Sequence, residues 1–378
     1  MIRCISVLIA FFLPVTAFCG ESYTLLWKQS FDSKVIKPSA VMAFTSRDSA
    51  FPLQSIITEK SLIVLNQKGQ IKENISFTPY DLIKVSDNGD TLVGVKKNKI
   101  FVFNAKKQIS SFKINQTILL SEHLTLEIAP DGSFIVLLSW FHKTIWFYSQ
   151  KGELLSSHSV DDLKGASIKI SKNSQRIVLH IPNYGDGTSN GYLLCFQFNG
   201  QFLWRYDHPG CKAEFDLSRN GEWIILMANQ MIYSLKNNKL IYQKKMDSSK
   251  AEVAISNDGQ HVALARQSDH HVIYIDNQTG QELWKQKISG FDRKASLFTD
   301  IEVNPNRIAV AICRHWSRRN QESWGIVFNT EGKRIWDVEF NHKAMDFLFS
   351  EDGSVIGGWG DNMVYLFRFV YEHSANKD

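Results

Sequence analysis

Ala251-Glu-Val-Ala-Ile-Ser-Asn-Asp-Gly259, followed by His261 to Ala265, Val272 to Asp276 and Thr279-Gly-Gln-Glu-Leu-Trp284, is the stretch whose reading decides the fold. It alternates apolar and polar residues in short runs bounded by Asn, Asp and Gly, the period of strands and not of helices. Asp258-Gly259 supplies the positive φ of a tight hairpin between the first two strands. A third strand ends at Asp276-Asn277, a glycine turn follows, and a fourth strand opens on Leu283-Trp284.

The same phrase returns along the chain. Its first turn recurs at Asp87-Asn88-Gly89, Asp131-Gly132, Asn173-Ser174, Asn220-Gly221, Asp258-Gly259, Pro305-Asn306 and Asp352-Gly353. Steps of about 44 residues are the period of four-stranded propeller blades. One more unit, with a degenerate turn near Asp48-Ser49, precedes the hairpin at Gly69. The pattern predicts an all-β chain forming an about eight-bladed β-propeller. The last unit lacks a Leu-Trp strand, and Tyr23-Thr-Leu-Leu-Trp-Lys28 at the other end of the chain supplies one. The expectation is a ring closed by an N-terminal outer strand, with Trp27 buried and Leu25 to Phe31 paired to the third strand of the last unit.

Arg3, an apolar run from Ile5 to Val15 and small residues near Ala17 read as a signal peptide over residues 1–20, leaving 21–378 as a single propeller domain. The apolar run is too short to span a membrane. An exported protein, periplasmic or extracellular, is expected. A lipid anchor at Cys19 is disfavoured, because Phe18 stands where such sites carry a small residue. The net charge of +5 is mild and forms no basic stripe, which argues against nucleic acid. Cys195 and Cys211 belong to one repeat and its exit loop, so their pairing stays open.

Asp276-Asn-Gln-Thr-Gly-Gln-Glu-Leu-Trp-Lys285 resembles the repeat of quinoprotein-type (PQQ-like) propellers, with weaker echoes at Phe328 to Trp336 and Phe198 to Trp204. The Ser-x-Asp-Gly turns resemble WD40-type units, and length and unit number are similar to the propeller subunit of the outer-membrane β-barrel assembly machinery. The resemblance implies that outer-strand tryptophans dock on the neighbouring blade, a role carried to Trp27, Trp204, Trp284 and Trp336. It implies two functional branches. One is a non-catalytic, exported scaffold for protein–protein interaction, acting as a monomer or as a subunit of a complex. The alternative is a PQQ-dependent oxidoreductase or another small-ligand-binding propeller. No acidic pair announces a catalytic base and a Ca²⁺ ligand, so the expectation is a non-enzyme without cofactor, metal site or catalytic residue.

Hairpins between second and third strands are where loop insertions carry binding. They supply the candidate partner-binding face: Trp140, His142, Tyr184, His270, His315, Trp316, Arg318, Arg319 and Trp359. Arg and Trp are the residue types enriched at interface hot spots. Asp269, His270, His271 and His315 suggest a metal site only weakly, since adjacent strand histidines point to opposite faces. Two places before the turn serine, successive units carry Lys84, Glu127, Lys169, Asp216, Ala254, Glu302 and Leu348. The alternating signs predict salt bridges between neighbouring units.

Overall fold

The computed structural model describes residues 21–30, 54–57, 61–65, 70–76, 80–87, 90–104, 107–114, 124–183, 190–247, 250–288, 296–304, 306–315, 321–340, 346–349, 355–360 and 363–371. The N-terminal strand is β1 (Glu21–Ser30). A three-stranded sheet follows, of β2 (Gln54–Ile57), β3 (Ser61–Leu65) and β4 (Ile71–Ser76). Next come three sheets of four: β5 (Leu82–Val85), β6 (Thr91–Lys96), β7 (Lys99–Asn104) and β8 (Lys107–Lys113); β9 (Leu124–Ile128), β10 (Phe134–Ser139), β11 (Thr144–Ser149) and β12 (Leu154–Ser159); β13 (Ser167–Ile170), β14 (Arg176–Asn183), β15 (Asn190–Gln197) and β16 (Phe202–Pro209). Three more are β17 (Ala213–Leu217), β18 (Trp223–Ala228), β19 (Met231–Lys236) and β20 (Lys239–Lys245); β21 (Ala251–Ile255), β22 (His261–Arg266), β23 (His271–Asp276) and β24 (Glu282–Lys287); β25 (Ser296–Asn304), β26 (Arg307–His315), β27 (Gln321–Asn329) and β28 (Arg334–Phe340). The last sheet combines β29 (Asp346–Phe349), β30 (Val355–Gly360) and β31 (Met363–Tyr371) with β1 on its outside.

Serine organises the first turn of four units, where Ala129 and Asn304 hold the same place in two others. The Oγ atoms of Ser86, Ser171, Ser218 and Ser256 accept the backbone N–H five residues on, from Thr91, Arg176, Trp223 and His261, at 2.9–3.1 Å. The hydroxyls of Ser171, Ser218 and Ser256 also donate to Asn173, Asn220 and Asp258. A side chain thus supplies a backbone N–H of the turn with its partner across four intervening residues. Gly259 has φ +74°, and a Cβ on it would lie 2.3 Å from Cδ1 of Trp223 in the preceding sheet. The turn therefore needs glycine both for its conformation and for the close approach.

The outer strands share a second device. In each sheet the pairing of the outermost strand with its neighbour slips by one residue, a β-bulge. The residue skipped is Leu26, Lys72, Ile109, Leu155, Leu203, Ile241, Leu283 or Ile335, and the next one is Trp27, Glu73, Ser110, Ser156, Trp204, Tyr242, Trp284 or Trp336. The Leu-Trp signature is this bulge followed by a docking side chain. Bulges twist an edge strand and blunt it against pairing with another chain.

Apolar clusters lie between successive sheets, joining for example Val93, Val102 and Phe112 to Leu126, Leu137 and Tyr148. First strands contact one another in sequence from β5 through β9, β13, β17, β21 and β25 to β29.

The expectation of about eight four-stranded blades closed into one propeller is corrected here. Among the described residues there are seven four-stranded antiparallel sheets and one of three strands, and no hydrogen-bonded ladder closes them into a barrel. The physical reason lies in the pairing. Every ladder stays inside its own sheet, and neighbouring sheets meet through side chains and turns. β1 does pair antiparallel to β31 along its whole length, from Glu21 opposite Tyr371 to Ser30 opposite Met363. It fills the fourth place of the last sheet, with Leu25 and Leu26 exposed, and the burial of Trp27 lies outside the described side chains. Residues 1–20 and Cys19 lie outside the described residues. Cys195 and Cys211 are free thiols, so the pairing left open by the sequence is not made. Cys195 is buried opposite Trp204, while Cys211 lies beyond the far end of β16. Five strand residues, roughly 17 Å, separate the two levels, well outside disulfide reach.

Candidate functional site

The hairpin between β10 and β11 displays two aromatics, Trp140 at 38% and Phe141 at 57% exposure. Its backbone is fixed from both sides. His142 N–H donates to the buried Ser139 hydroxyl at 3.2 Å, and Thr144 Oγ1 donates to the His142 carbonyl at 2.8 Å. Lys143 takes φ 52°, and its carbonyl accepts Val160 N–H. The His142 ring is edge-on to Phe141 and Trp146, so it buttresses the tip.

The equivalent hairpin between β22 and β23 is built differently. His270 has φ 55° and is buried, and its carbonyl accepts Ile288 N–H. Asp269 accepts from both Nε and NH2 of Arg266, a buried side chain, and sits 2.9 Å from Nδ1 of His271. Desolvation works to raise the Asp269 carboxyl, and the Arg266 and His271 interactions outweigh it, holding it below the usual carboxylate range. Asp269 is thus committed to closing its own turn. Among the described residues no three His, Cys, Asp or Glu side chains are grouped to hold a metal ion.

His315 ends β26 opposite Gln321, and Trp359 lies in β30 opposite Val364; their side chains are outside the described set. Tyr184, Trp316, Arg318 and Arg319 lie outside the described residues. Trp140, His142, His270, His315 and Trp359 therefore share one topological place, the hairpin between second and third strands or its root, in four different sheets.

Docking between sheets is visible at the outer strands. Trp284 Nε1 donates to the Thr330 carbonyl of the next sheet at 2.9 Å and stacks on Tyr274 and Phe328. Trp336 packs edge-on against Phe367, and Trp204 lies against the cluster of Cys195, Phe215 and Leu226. Other residues do the same work in sheets whose outer strand has no tryptophan. Ser110 donates to Gln150 O, His158 Nε2 lies 2.7 Å from Gly200 O, and Tyr242 OH donates to Asn277 Oδ1.

At the inner strands, Lys84 pairs with Glu127 at 3.0 Å and Lys169 with Asp216 at 2.8 Å, each bridging neighbouring sheets. The fields of Lys169, Lys172, Asp87, Asp216 and Glu302 reach one another, so charges from several sheets converge there. Burial raises the carboxyls of Asp87, Glu127 and Glu302 despite the lysines. Lys169 keeps 46% of its side chain open to solvent.

The sequence reading missed one cluster entirely. His180 on β14 and His208 on β16 stack at 5.2 Å with 28° between the rings, each 3% exposed. The signal that could have found them is Gly191 between them, where a Cβ would lie 3.0 Å from His180 Nε2 and 2.8 Å from His208 Cε1.

No protein-family model and no curated protein sequence matches the chain. Solved structures match its fold. The Dos1 propeller aligns with TM-score 0.59 at 14% identity over 92% of this chain and 95% of that one. Saccharomyces cerevisiae Sqt1 aligns with TM-score 0.58 at 13% identity over 90% and 99%. BamB from Moraxella catarrhalis aligns with TM-score 0.56 at 12% identity over 93% and 99%. At such identities the likeness is one of fold. It places the chain in the β-propeller fold at a distance from BamB and the others, and it narrows the resemblance to quinoproteins, which the matches do not single out.

Proposed function

We propose that this chain is a non-catalytic scaffold that binds a protein partner through the hairpins joining second and third strands. The observation that carries it is the Trp140–Phe141 tip, two exposed aromatics on a backbone held by Ser139, Thr144 and Val160. Rigid aromatics bury large area at low entropic cost, which is what an interface anchor needs. The same hairpin in other sheets carries His315, Trp316, Arg318, Arg319 and Trp359, residues of the aromatic and basic types that anchor interfaces. The apolar run from Ile5 to Val15 supports a partner in an exported compartment, the periplasm or the exterior.

The experiment is affinity capture from the native cell envelope with the wild type and a Trp140→Ala/Phe141→Ala variant, beside thermal unfolding of both. A protein enriched by the wild type and lost by an equally stable variant supports the reading. An identical captured set, or a variant that loses stability and not capture, overturns it. Dye reduction dependent on added PQQ and Ca²⁺ would overturn the non-catalytic part.

A further inference from the structure

His180 and His208 come from strands separated by β15, and they lie diagonally across it. The register places His208 opposite Gly191 and Gly191 opposite Pro182, two residues from His180 on the same face. Only a residue without a side chain at 191 lets the two rings meet over the middle strand. His208 Nδ1 donates to the Pro209 carbonyl at 3.2 Å, which leaves its Nε2 as a lone pair. Nε2 of His208 and Nε2 of His180 are both buried without a hydrogen-bond partner. Two stacked imidazoles with orphaned nitrogens fit the site only while both are neutral, because a second positive charge 5 Å away and no facing anion make protonation costly.

We propose that the His180–His208 pair is a proton-operated latch that holds the outer strand β16 on β15 and releases it in acid.

The surroundings offer no counter-charge of the right kind. Tyr206 on β16 and Tyr233 on β19 have hydroxyls that burial pushes further into the alkaline range. Phe215 on β17 faces His180 with an uncharged ring at 6.5 Å, and the turn residue Asn229 packs on Gly210. Asp207 is the acidic group whose field reaches His208, but it is exposed, and its Oδ1 accepts from both Nε and Nη2 of Arg205. Burial, and then the neighbouring His208, draw His180 down to about 4; burial likewise lowers His208 against the pull of Pro209 and Asp207. With β16 detached, both rings titrate near ~6.5. Opening therefore takes up protons below that value. The latch is fully closed above it and loses hold as pH falls toward the folded values.

The test is hydrogen exchange of the full chain from pH 8 to pH 5, each rate normalised to intrinsic exchange. Peptides covering 190–209 should open about 30-fold more at pH 5 through His180 alone, and further through His208. His180→Phe, and separately His208→Phe, keep an aromatic stack and remove one proton site, so the first should cut the pH response by about 30-fold and the second should also reduce it. A peptide covering 321–340, three sheets further along the chain and without histidine, serves as internal control and should not respond. A pH-independent 190–209 segment, an unchanged response in both variants, or an equal rise in the control segment would each overturn the latch.

Discussion

Asn277→Ala is the sharpest test of how neighbouring sheets are joined. Asn277 is fully buried, and its side chain serves two sheets at once. Nδ2 donates to the Gly259 carbonyl at 2.8 Å, inside its own sheet. Oδ1 accepts from Ser234 Oγ at 2.8 Å and from Tyr242 OH at 3.3 Å, both in the preceding sheet. Truncation leaves the buried Ser234 hydroxyl and the Gly259 carbonyl without partners, at about 1–3 kcal/mol each. Tyr242 is half-buried and recovers water, so it adds little. The expected loss is about 2–5 kcal/mol, a large part of the ~5–15 kcal/mol that holds a typical protein.

For a chain of this size unfolding as one unit, that loss lowers Tm by roughly 3–7 °C. The assay is paired thermal and urea unfolding, with equal m-values as the check that both variants unfold alike. Gln278→Ala is the control next door: its side chain is exposed and bonds only Gln260 among the described partners, so it should change stability by less than about 0.5 kcal/mol. If Asn277→Ala falls within that same margin, sheet-to-sheet hydrogen bonding at this turn does not carry the stability assigned to it.

Other expectations follow the same geometry. Gly259→Ala combines φ +74° with a Cβ 2.3 Å from the Trp223 ring, and should lower stability by about 2–4 kcal/mol in chemical denaturation. Leu283→Ser, at an exposed bulge position, should be nearly neutral by thermal unfolding, whereas Trp284→Ala should cost about 2–4 kcal/mol through lost stacking and the Thr330 bond. Glu302→Gln should raise Tm at pH 7. The Glu302 carboxyl is raised in the folded chain, chiefly by burial, so its ionised form is disfavoured there; the gain should fade as pH falls below the ordinary glutamate range, where folded and unfolded chains are both protonated. A Tm difference independent of pH would refute that assignment.

The repeat was legible because its chemistry is local. The turn serine, the Asp or Asn two places on and the glycine act within five residues, so the phrase can be read without knowing the fold. The Lys84–Glu127 and Lys169–Asp216 bridges were also foreseeable, since equal position in successive units places the two charges side by side. What depends on the arrangement of strands across a sheet was not. His180 and His208 are 28 residues apart, and only the pairing over Gly191 brings them together. His270 was expected on a displayed face, but the left-handed turn conformation folds it inward, and Asp269 was taken up by Arg266. The closed eight-bladed ring was inferred from counting units. Counting fixes the number of phrases and leaves open how many strands each contributes and how the sheets meet.

The division of labour within each unit bears on function. The turns between first and second strands, and those between third and fourth, are spent on neighbours: Arg219 N–H reaches Asn257 O, Asn173 N–H reaches Arg219 O, and the outer-strand docking residues reach the next sheet's glycine turn. Changing such a residue perturbs two sheets. The hairpins between second and third strands bond mainly within their own sheet, as Ser139 with His142, Lys143 with Val160 and Arg266 with Asp269, although Arg266 also pairs with Asp247 at 3.5 Å. Their tips are free to differ from sheet to sheet without weakening the contacts between sheets. That freedom is used unevenly: one tip presents Trp140 and Phe141, another tucks His270 away. On the proposed reading, a recognition surface that varies along the repeat while the joints stay constant would select one partner over others, and would put specificity in residues that contribute little to holding the sheets together.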